Sequence, residues 1–413
     1  MHLSNKPICQ VSNHAIMSQS SFTRIFYRKG VPFWRDVVVL QWIAQILSAV
    51  IVIGFMVFFI RNVLQAAEAR GLSWGYDFLD EAAGFPISES LIPYDASYPF
   101  ARALIVGLLN TLKVALVGIV FATLLGILAA VARLSTNWLV SKIASVYIEV
   151  IRNVPLLVQL FFWYFGFFQR LPAVADAIEL PGPVFISQRG LYMIWAKPTS
   201  TFGTWMIFIG VGLIGSWVLY LVLSRYQTRT GRTTYPVATG FAVLVALPIL
   251  GWFLVGGSPL VSNVPELGKF NFSGGLRLTP EFVGLLVGLV VYTGAFIAEV
   301  VRAGILAVDK GQFEAARAVG LTPMQALRLV VFPQAMRVII PPLISQFLNL
   351  TKNSSLAILI GYADVFFVGR TIINQSGRAV PVFLLIMAIY LTTSLITSIV
   401  MNIYNRRVRL VER

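Results

Sequence analysis

The sequence has few of the residues that metal sites, disulfide scaffolds and catalytic triads require. Among 413 residues it has one cysteine and two histidines. Cys9 has no partner for a disulfide within the chain. His2 and His14 both precede the first long apolar stretch. The apolar stretches therefore contain neither a zinc site of His and Cys pairs nor a Ser-His-acid triad. No Gly-x-x-x-x-Gly-Lys-Ser/Thr segment occurs, so we expect no ATP hydrolysis by this chain alone and no cofactor bound to it.

Charge is also scarce, since 12% of the residues are charged while 57% are hydrophobic. A helix that crosses a bilayer needs roughly 20 mostly apolar residues in a row. Stretches of that kind recur along the chain and predict an all-α polytopic membrane protein. We expect eight spans, near residues 37–60, 103–132, 143–168, 204–223, 236–256, 282–301, 338–360 and 381–404.

The net charge of +15 follows the predicted topology. If the spans alternate in direction, one side of the membrane holds residues 1–36, 133–142, 224–235, 302–337 and 405–413. Lysine and arginine far outnumber acidic residues there, whereas acidic residues prevail on the other side. Cytoplasmic loops carry such an excess of basic residues, so we expect both termini in the cytoplasm. Orientation explains the charge without nucleic acid as a partner.

These spans divide the chain into segments of different character. We expect a cytoplasmic N-terminal segment at 1–36, a first span with its external loop at 37–100, a transmembrane domain at 101–404 and a cytoplasmic tail at 405–413. Acidic and aromatic residues alternate in residues 61–100, which favours an interfacial helix and loop on lipid headgroups, or a docking surface for an external partner. Residues 171–280 form an insertion, in which 171–203 is expected to be loop and the charge-free spans that follow a peripheral hairpin.

The longest cytoplasmic connector, residues 302–337, interrupts the apolar pattern. Residues 312–319 favour a helix, and Gly320 is placed to end it in the left-handed conformation. Thr322 can cap a second helix, with Pro323 in its first turn and Gln325 completing a capping box. We expect the second helix to stop before Pro333. Two short helices that meet at an elbow have too little apolar area to form a stable soluble domain, so we expect the exposed side of the elbow to dock into a groove of another protein.

This connector resembles a known family. Glu314, Ala315, Ala316, Gly320 and Pro333 stand at the spacing of the EAA signature in permease subunits of bacterial ABC importers. The resemblance implies a type I importer core whose loop couples to a separate ATPase, which uses the ATP and Mg. It also implies a second, similar permease chain, a periplasmic solute-binding protein and a place in the inner membrane. Residues 149–160, 292–305 and 352–356 look like the polar amino-acid branch of these permeases, and the length is similar to that of the general L-amino-acid members.

The sequence departs from that branch at a few positions. Asn153 and Val154 stand where the branch commonly has Gly-Thr. Asn353 and Ser354 stand where an acid and a threonine are usual. The departures concern residues near the predicted route, so they leave open which amino acids are transported.

Several polar residues fall within or beside the predicted spans. A charge at mid-bilayer costs at least ~2.5 kcal/mol, so such groups usually face a cavity or one another. Glu149 and Arg152 can pair along one helix face and simply join neighbouring spans. Alternatively, a polar route for a zwitterionic amino acid is lined by Glu149, Arg152, Glu299, Lys352, Asn353, Ser354 and Ser355.

The helix that carries the first two of these residues should be broken, because Pro155 follows Arg152 closely. Charged Glu299 and Lys352 also favour an ion-coupled secondary transporter as an alternative function. That alternative gives no reason for the elbow.

Overall fold

The computed structural model describes residues 37–69, 75–268 and 270–408. The predicted cytoplasmic segment 1–36, with Cys9 and both histidines, lies outside these residues, as does the end of the predicted tail, 409–413. Within the described residues, seven helices are long and apolar enough to span a membrane, and the number is eight if one sharply bent pair forms a single span. The predicted all-α membrane protein with about eight spans is confirmed.

The helices follow the predicted order, and several of them extend beyond the predicted spans. They are α1 (Val37–Ala69), α2 (Phe100–Arg133), α3 (Trp138–Asn153), α4 (Leu156–Phe161), α5 (Phe202–Thr230), α6 (Pro236–Leu254), α7 (Pro280–Leu306), α8 (Lys310–Ala318), α9 (Pro323–Ala326), α10 (Phe332–Asn353), α11 (Val365–Ser376) and α12 (Ala379–Val408). The chain forms two compact units, residues 1–74 and 75–413. In the first unit, α1 is an apolar helix whose side chains are largely exposed.

The centre of the second unit is the pair of helices α2 and α7, which pack together over most of their length. Small residues permit this close approach. A side chain built on Gly126 of α2 would place its Cβ 2.5 Å from the Cγ2 of Ile297 and 3.0 Å from the carbonyl oxygen of Gly294 on α7. Helix α10 packs just as closely, since a Cβ on Gly304 would lie 2.2 Å from Ile339. Glycine therefore sets the distance between the core helices.

The insertion at 171–280 contains structure that the sequence did not predict. Residues 171–203, expected to be loop, contain the strands β1 (Ile178–Leu180), β2 (Val184–Ser187), β3 (Gly190–Met193) and β4 (Trp195–Pro198). After the helical hairpin come β5 (Leu260–Asn263), β6 (Glu266–Leu267), β7 (Phe272–Ser273) and β8 (Leu276–Leu278). The strands form an antiparallel sheet of order β1-β2-β3-β8 and two two-stranded pairs, β4-β5 and β6-β7. Strand β3 pairs with β8 and β4 with β5 across the helical hairpin, so no local pattern predicts these partners, whereas the other strands pair with their neighbours in sequence.

The hairpin α5–α6 packs mainly on itself. The Trp205 indole donates a hydrogen bond to the carbonyl of Pro248 at 2.9 Å, and Gly251 lies against the ring of Phe208. Most of its other apolar side chains are exposed. This arrangement agrees with the predicted peripheral position.

The described part of the first external loop, residues 75–99, packs on the start of α2, and its expected interfacial or docking role stays a prediction. Among residues 75–99 the only helical segment is a short 3-10 turn at Asp77–Asp80. Phe78 and Phe85 are buried against Phe100 at the start of α2. These two aromatic residues thus pack on the protein core, whereas Tyr76 is exposed.

Candidate coupling elbow and translocation pocket

The predicted elbow is present. Helix α8 begins after Asp309, whose side chain accepts a hydrogen bond from the Gly311 amide at 2.6 Å. It ends at Ala318 and is followed by Gly320, which has φ +81°, and the Leu321 amide then donates to the carbonyl of Ala316 at 3.1 Å. That bond closes the helix end with a left-handed residue, a conformation that glycine adopts without strain. Residues 319–322 separate α8 from α9.

The second arm begins with the predicted capping box. The Thr322 hydroxyl accepts from the Gln325 amide, while the Gln325 side chain accepts from the Thr322 amide at 2.9 Å. The predicted stop before Pro333 was wrong. A π-helical turn, Leu327–Val331, leads directly into α10, and Pro333 lies in the first turn of that helix, where no backbone N–H is required.

The elbow has a buried side and an exposed side. Ala316 and Ala326 are buried against the protein, and Phe313 packs on the main core. Glu314, Ala315 and Pro333 are exposed. The exposed side carries several large apolar side chains, of which Val319 and Met324 are the most exposed, at 76% and 71%; Leu327 and Leu329 are exposed as well. The elbow therefore presents apolar side chains away from the core of the described residues.

An ion-pair cluster lies at the end of α7 that leads to the elbow. The Glu299 carboxylate accepts from Arg133 Nη1 at 2.8 Å and from Arg302 Nε at 3.1 Å. The other guanidinium amine of Arg133 lies 3.4 Å from Glu149, whose side chain is 66% exposed. The predicted pair of Glu149 with Arg152 is therefore replaced by a pair with Arg133, the last residue of α2. The sequence assigned Arg133 to a loop and gave no reason to pair it with Glu299.

The third span is broken as predicted. Helices α3 and α4 meet at an angle of 107°, with Pro155 between them. The buried side chain of Gln159 donates to the carbonyls of Ile151 and Val154, at 2.9 and 3.0 Å. Those carbonyls lose their helical partners at the break, so Gln159 stabilises the bend. Sequence inspection did not single out this role.

A polar pocket of about 270 Å³ opens between α7 and α10. Its lining residues are Tyr292, Thr293, Phe296, Gln346, Asn349 and Asn353. Asn353 is the one predicted route residue in this lining. The others were missed, although Gln346, Asn349 and Asn353 recur at helical spacing in an apolar stretch, a pattern that could have found them.

The remaining predicted route residues differ in position. The guanidinium of Arg152 lies over the Phe296 ring, 5.2 Å from its centroid, and thus beside the pocket. Lys352 is exposed next to Asn353. The hydroxyl of Ser354 donates to the Thr351 carbonyl at 2.7 Å, and that of Ser355 to the Lys352 carbonyl at 2.8 Å. Both serines open the 3-10 turn Ser354–Leu359, and neither lines the pocket.

A buried carboxylate follows this turn. Asp364 is fully buried; it caps α11 by accepting from the Phe367 amide at 2.8 Å, and it accepts from the Tyr390 hydroxyl at 2.9 Å. Burial raises the pKa of Asp364 to about 6, because desolvation disfavours the charged form more than these bonds favour it.

Comparison with known proteins places the chain in a family. Residues 230–410 match the family described as binding-protein-dependent transport system inner membrane component. The general L-amino acid transport system permease protein AapQ of Rhizobium johnstonii is 46% identical over 89% of this chain and 92% of its own length. The chain belongs to this transport family. The putative amino-acid ABC transporter permease YhdX of Escherichia coli is 44% identical over 93% of this chain and 98% of its own.

Shorter relatives match only part of the chain. The probable glutamine ABC transporter permease GlnM of Bacillus subtilis is 40% identical over 46% of this chain and 89% of its own length. A solved structure described as an amino acid ABC transporter with histidines is 24% identical, with a TM-score of 0.45, over 75% of this chain and 95% of the solved chain. Membership confirms the resemblance drawn from the EAA signature and does not support an ion-coupled secondary transporter.

Proposed function

We propose that this chain is the permease subunit of an ABC importer that carries L-amino acids across the inner membrane. The elbow is the observation that carries the proposal, because its rigid turn and exposed apolar side fit a groove on a separate ATPase. The ATPase hydrolyses ATP with Mg. Its closure moves the elbow, and with it α7 and α10. In this assignment both termini are cytoplasmic, a second and similar permease chain completes the transmembrane pathway, and a periplasmic solute-binding protein delivers the substrate.

The polar pocket supplies the passage for the substrate. An amino acid carries both charges and needs partners of both kinds within the membrane. Arg152 and Lys352, which form no ion pair with any of the described residues, attract its carboxylate. Glu299 is already paired with two arginines, so it positions the inner end of the passage instead of binding the substrate. Glu149 holds α3 to the same cluster through Arg133.

Substitution at the elbow tests the proposal. Gly320→Asp places a side chain at φ +81°, which strains the turn and adds a charge to the exposed side. We expect the ATPase to be lost when the transporter is purified from native membranes, while the permease remains inserted.

Gly377→Asp is the matched control, because Gly377 has φ +69° at the end of α11 and likewise has open space around it. The control should retain the ATPase. Equal retention in both variants would contradict the role of the elbow.

A further inference from the structure

The polar pocket carries three side-chain amides on one face of α10. Gln346, Asn349 and Asn353 are spaced by three and four residues, which places them on the same side of a helix. Within residues 37–69, 75–268 and 270–408, the side-chain hydrogen bonds of α10 are made by Gln334 and Thr351 and not by these three amides. Their donors and acceptors are therefore available to a molecule in the pocket.

The lining carries no Asp, Glu, Lys, Arg or His. Opposite the amides, α7 contributes Tyr292, Thr293 and Phe296. The nearest acid along α7, Glu299, is engaged by Arg133 and Arg302. The lining thus has hydrogen-bonding groups of both kinds and no charged side chain, while the Arg152 guanidinium lies beside it over the Phe296 ring and can attract the carboxylate of any amino acid.

A carboxamide suits the part of an amino acid that all amino acids share. Its NH₂ group donates two hydrogen bonds, as a carboxylate requires, and its oxygen accepts, as an ammonium requires. A fixed charge would instead favour substrates whose side chain has the opposite charge and disfavour those with the same charge. A neutral amide lining is tolerant of acidic, neutral and basic side chains.

We propose that Gln346, Asn349 and Asn353 form a carboxamide stripe that binds the α-ammonium and α-carboxylate groups of the substrate and determines a broad substrate range. This inference rests on the proposed amino-acid transport. The broad substrate range then follows from the absence of charged side chains at these three positions. A charge introduced into the stripe should therefore change which amino acids are preferred.

Asn353→Asp tests this with almost no change in volume. The variant should be expressed in the complete transporter, and ATP-dependent uptake of labelled arginine, leucine and glutamate measured in membrane vesicles. We expect the arginine-to-glutamate uptake ratio to rise about tenfold, because a nearby opposite charge favours arginine and a like charge disfavours glutamate. Asn353→Leu, which removes the amide without adding charge, should lower uptake of all three by similar factors.

Two further variants complete the test. Asn349→Asp lies at an exposed position of the same stripe, where a charge is tolerated by the fold, and should shift the ratio in the same direction. Asn402→Asp, exposed on α12 and absent from the lining, should leave it unchanged.

The outcomes separate the inference from the proposed function. ATP-dependent uptake with an unaltered ratio in both stripe variants overturns the carboxamide stripe alone. Absence of ATP-dependent uptake of any amino acid by the unmodified transporter overturns the proposed function. A ratio that shifts equally in Asn402→Asp also overturns the inference, since the effect would not be specific to the pocket.

Discussion

Replacing Glu299 by glutamine removes the acid that holds the ends of α2 and α7 together. The substitution keeps the size of the side chain but leaves Arg133 and Arg302 without their shared counter-charge. The three side chains are 24%, 22% and 28% exposed, respectively, so the cluster is neither buried nor free in solvent. Two like charges would then face each other across a helix interface.

The loss in the free energy of unfolding on Glu299→Gln lies between two known limits. Breaking a fully buried pair costs about 3–5 kcal/mol, whereas an exposed pair contributes about 0.2–1 kcal/mol. With roughly a quarter of each side chain exposed, we expect a loss of about 2 kcal/mol in the free energy of unfolding. In a protein of this size that loss corresponds to a fall of a few degrees in melting temperature.

Thermal unfolding of the purified permease in detergent measures this effect. Glu149→Gln is the control, because Glu149 is 66% exposed and lies 3.4 Å from Arg133. It should cost no more than about 0.5 kcal/mol. Equal shifts for the two variants, or no shift for Glu299→Gln, would refute the assignment of Glu299 as the centre of the cluster.

Three other substitutions have defined outcomes. Gln159→Leu leaves the carbonyls of Ile151 and Val154 without a donor, so the melting temperature should fall, by the equivalent of about 1–3 kcal/mol; an unchanged melting temperature would show that the bend does not need this side chain. Gly126→Leu forces α2 away from α7, and the purified protein should aggregate on size-exclusion chromatography, whereas a monodisperse peak would contradict the close packing. Between about pH 4 and about pH 6 Asp364 ionises more readily in the unfolded state than in the folded state, so the unmodified protein loses stability as the pH rises. Asp364→Asn lacks this loss, so its melting temperature should rise relative to that of the unmodified protein across that window. A constant difference across it would refute the raised pKa.

Local sequence signals predicted the elbow well and the ion pairs poorly. Gly320, Thr322 and Gln325 act through hydrogen bonds to residues three to five positions away, so their roles can be read from spacing alone. Glu299 and Arg133 are 166 positions apart, and their contact depends on how α2 and α7 pack. The charge of Glu299 in an apolar stretch predicts a polar environment, but which residue pairs with it can be seen only in the folded structure.

The same distinction between local and long-range contacts explains why the sequence did not predict the strands or the end of the second arm of the elbow. Strand β3 pairs with β8, more than eighty residues later and beyond the whole hairpin α5–α6, so its short apolar segment gave no local signal. Pro333 gives a local signal that is ambiguous, since proline can mark either the end of one helix or the first turn of the next. Here a π-helical turn runs directly into α10, so Pro333 lies in the first turn of that helix.

The central claim is that the elbow engages a separate ATPase. Cys9 is the chain's one cysteine, so a Cys9→Ser background allows a single cysteine to be placed at Met324, which is 71% exposed on the elbow. Tyr235, 72% exposed on the connector between α5 and α6, serves as the control position on the same predicted side of the membrane. With a thiol-reactive photocrosslinker in native membranes, Met324→Cys should join the permease to an ATP-hydrolysing subunit and Tyr235→Cys should not. Crosslinking from Tyr235→Cys alone, or from neither position in a transporter active in uptake, would contradict the account.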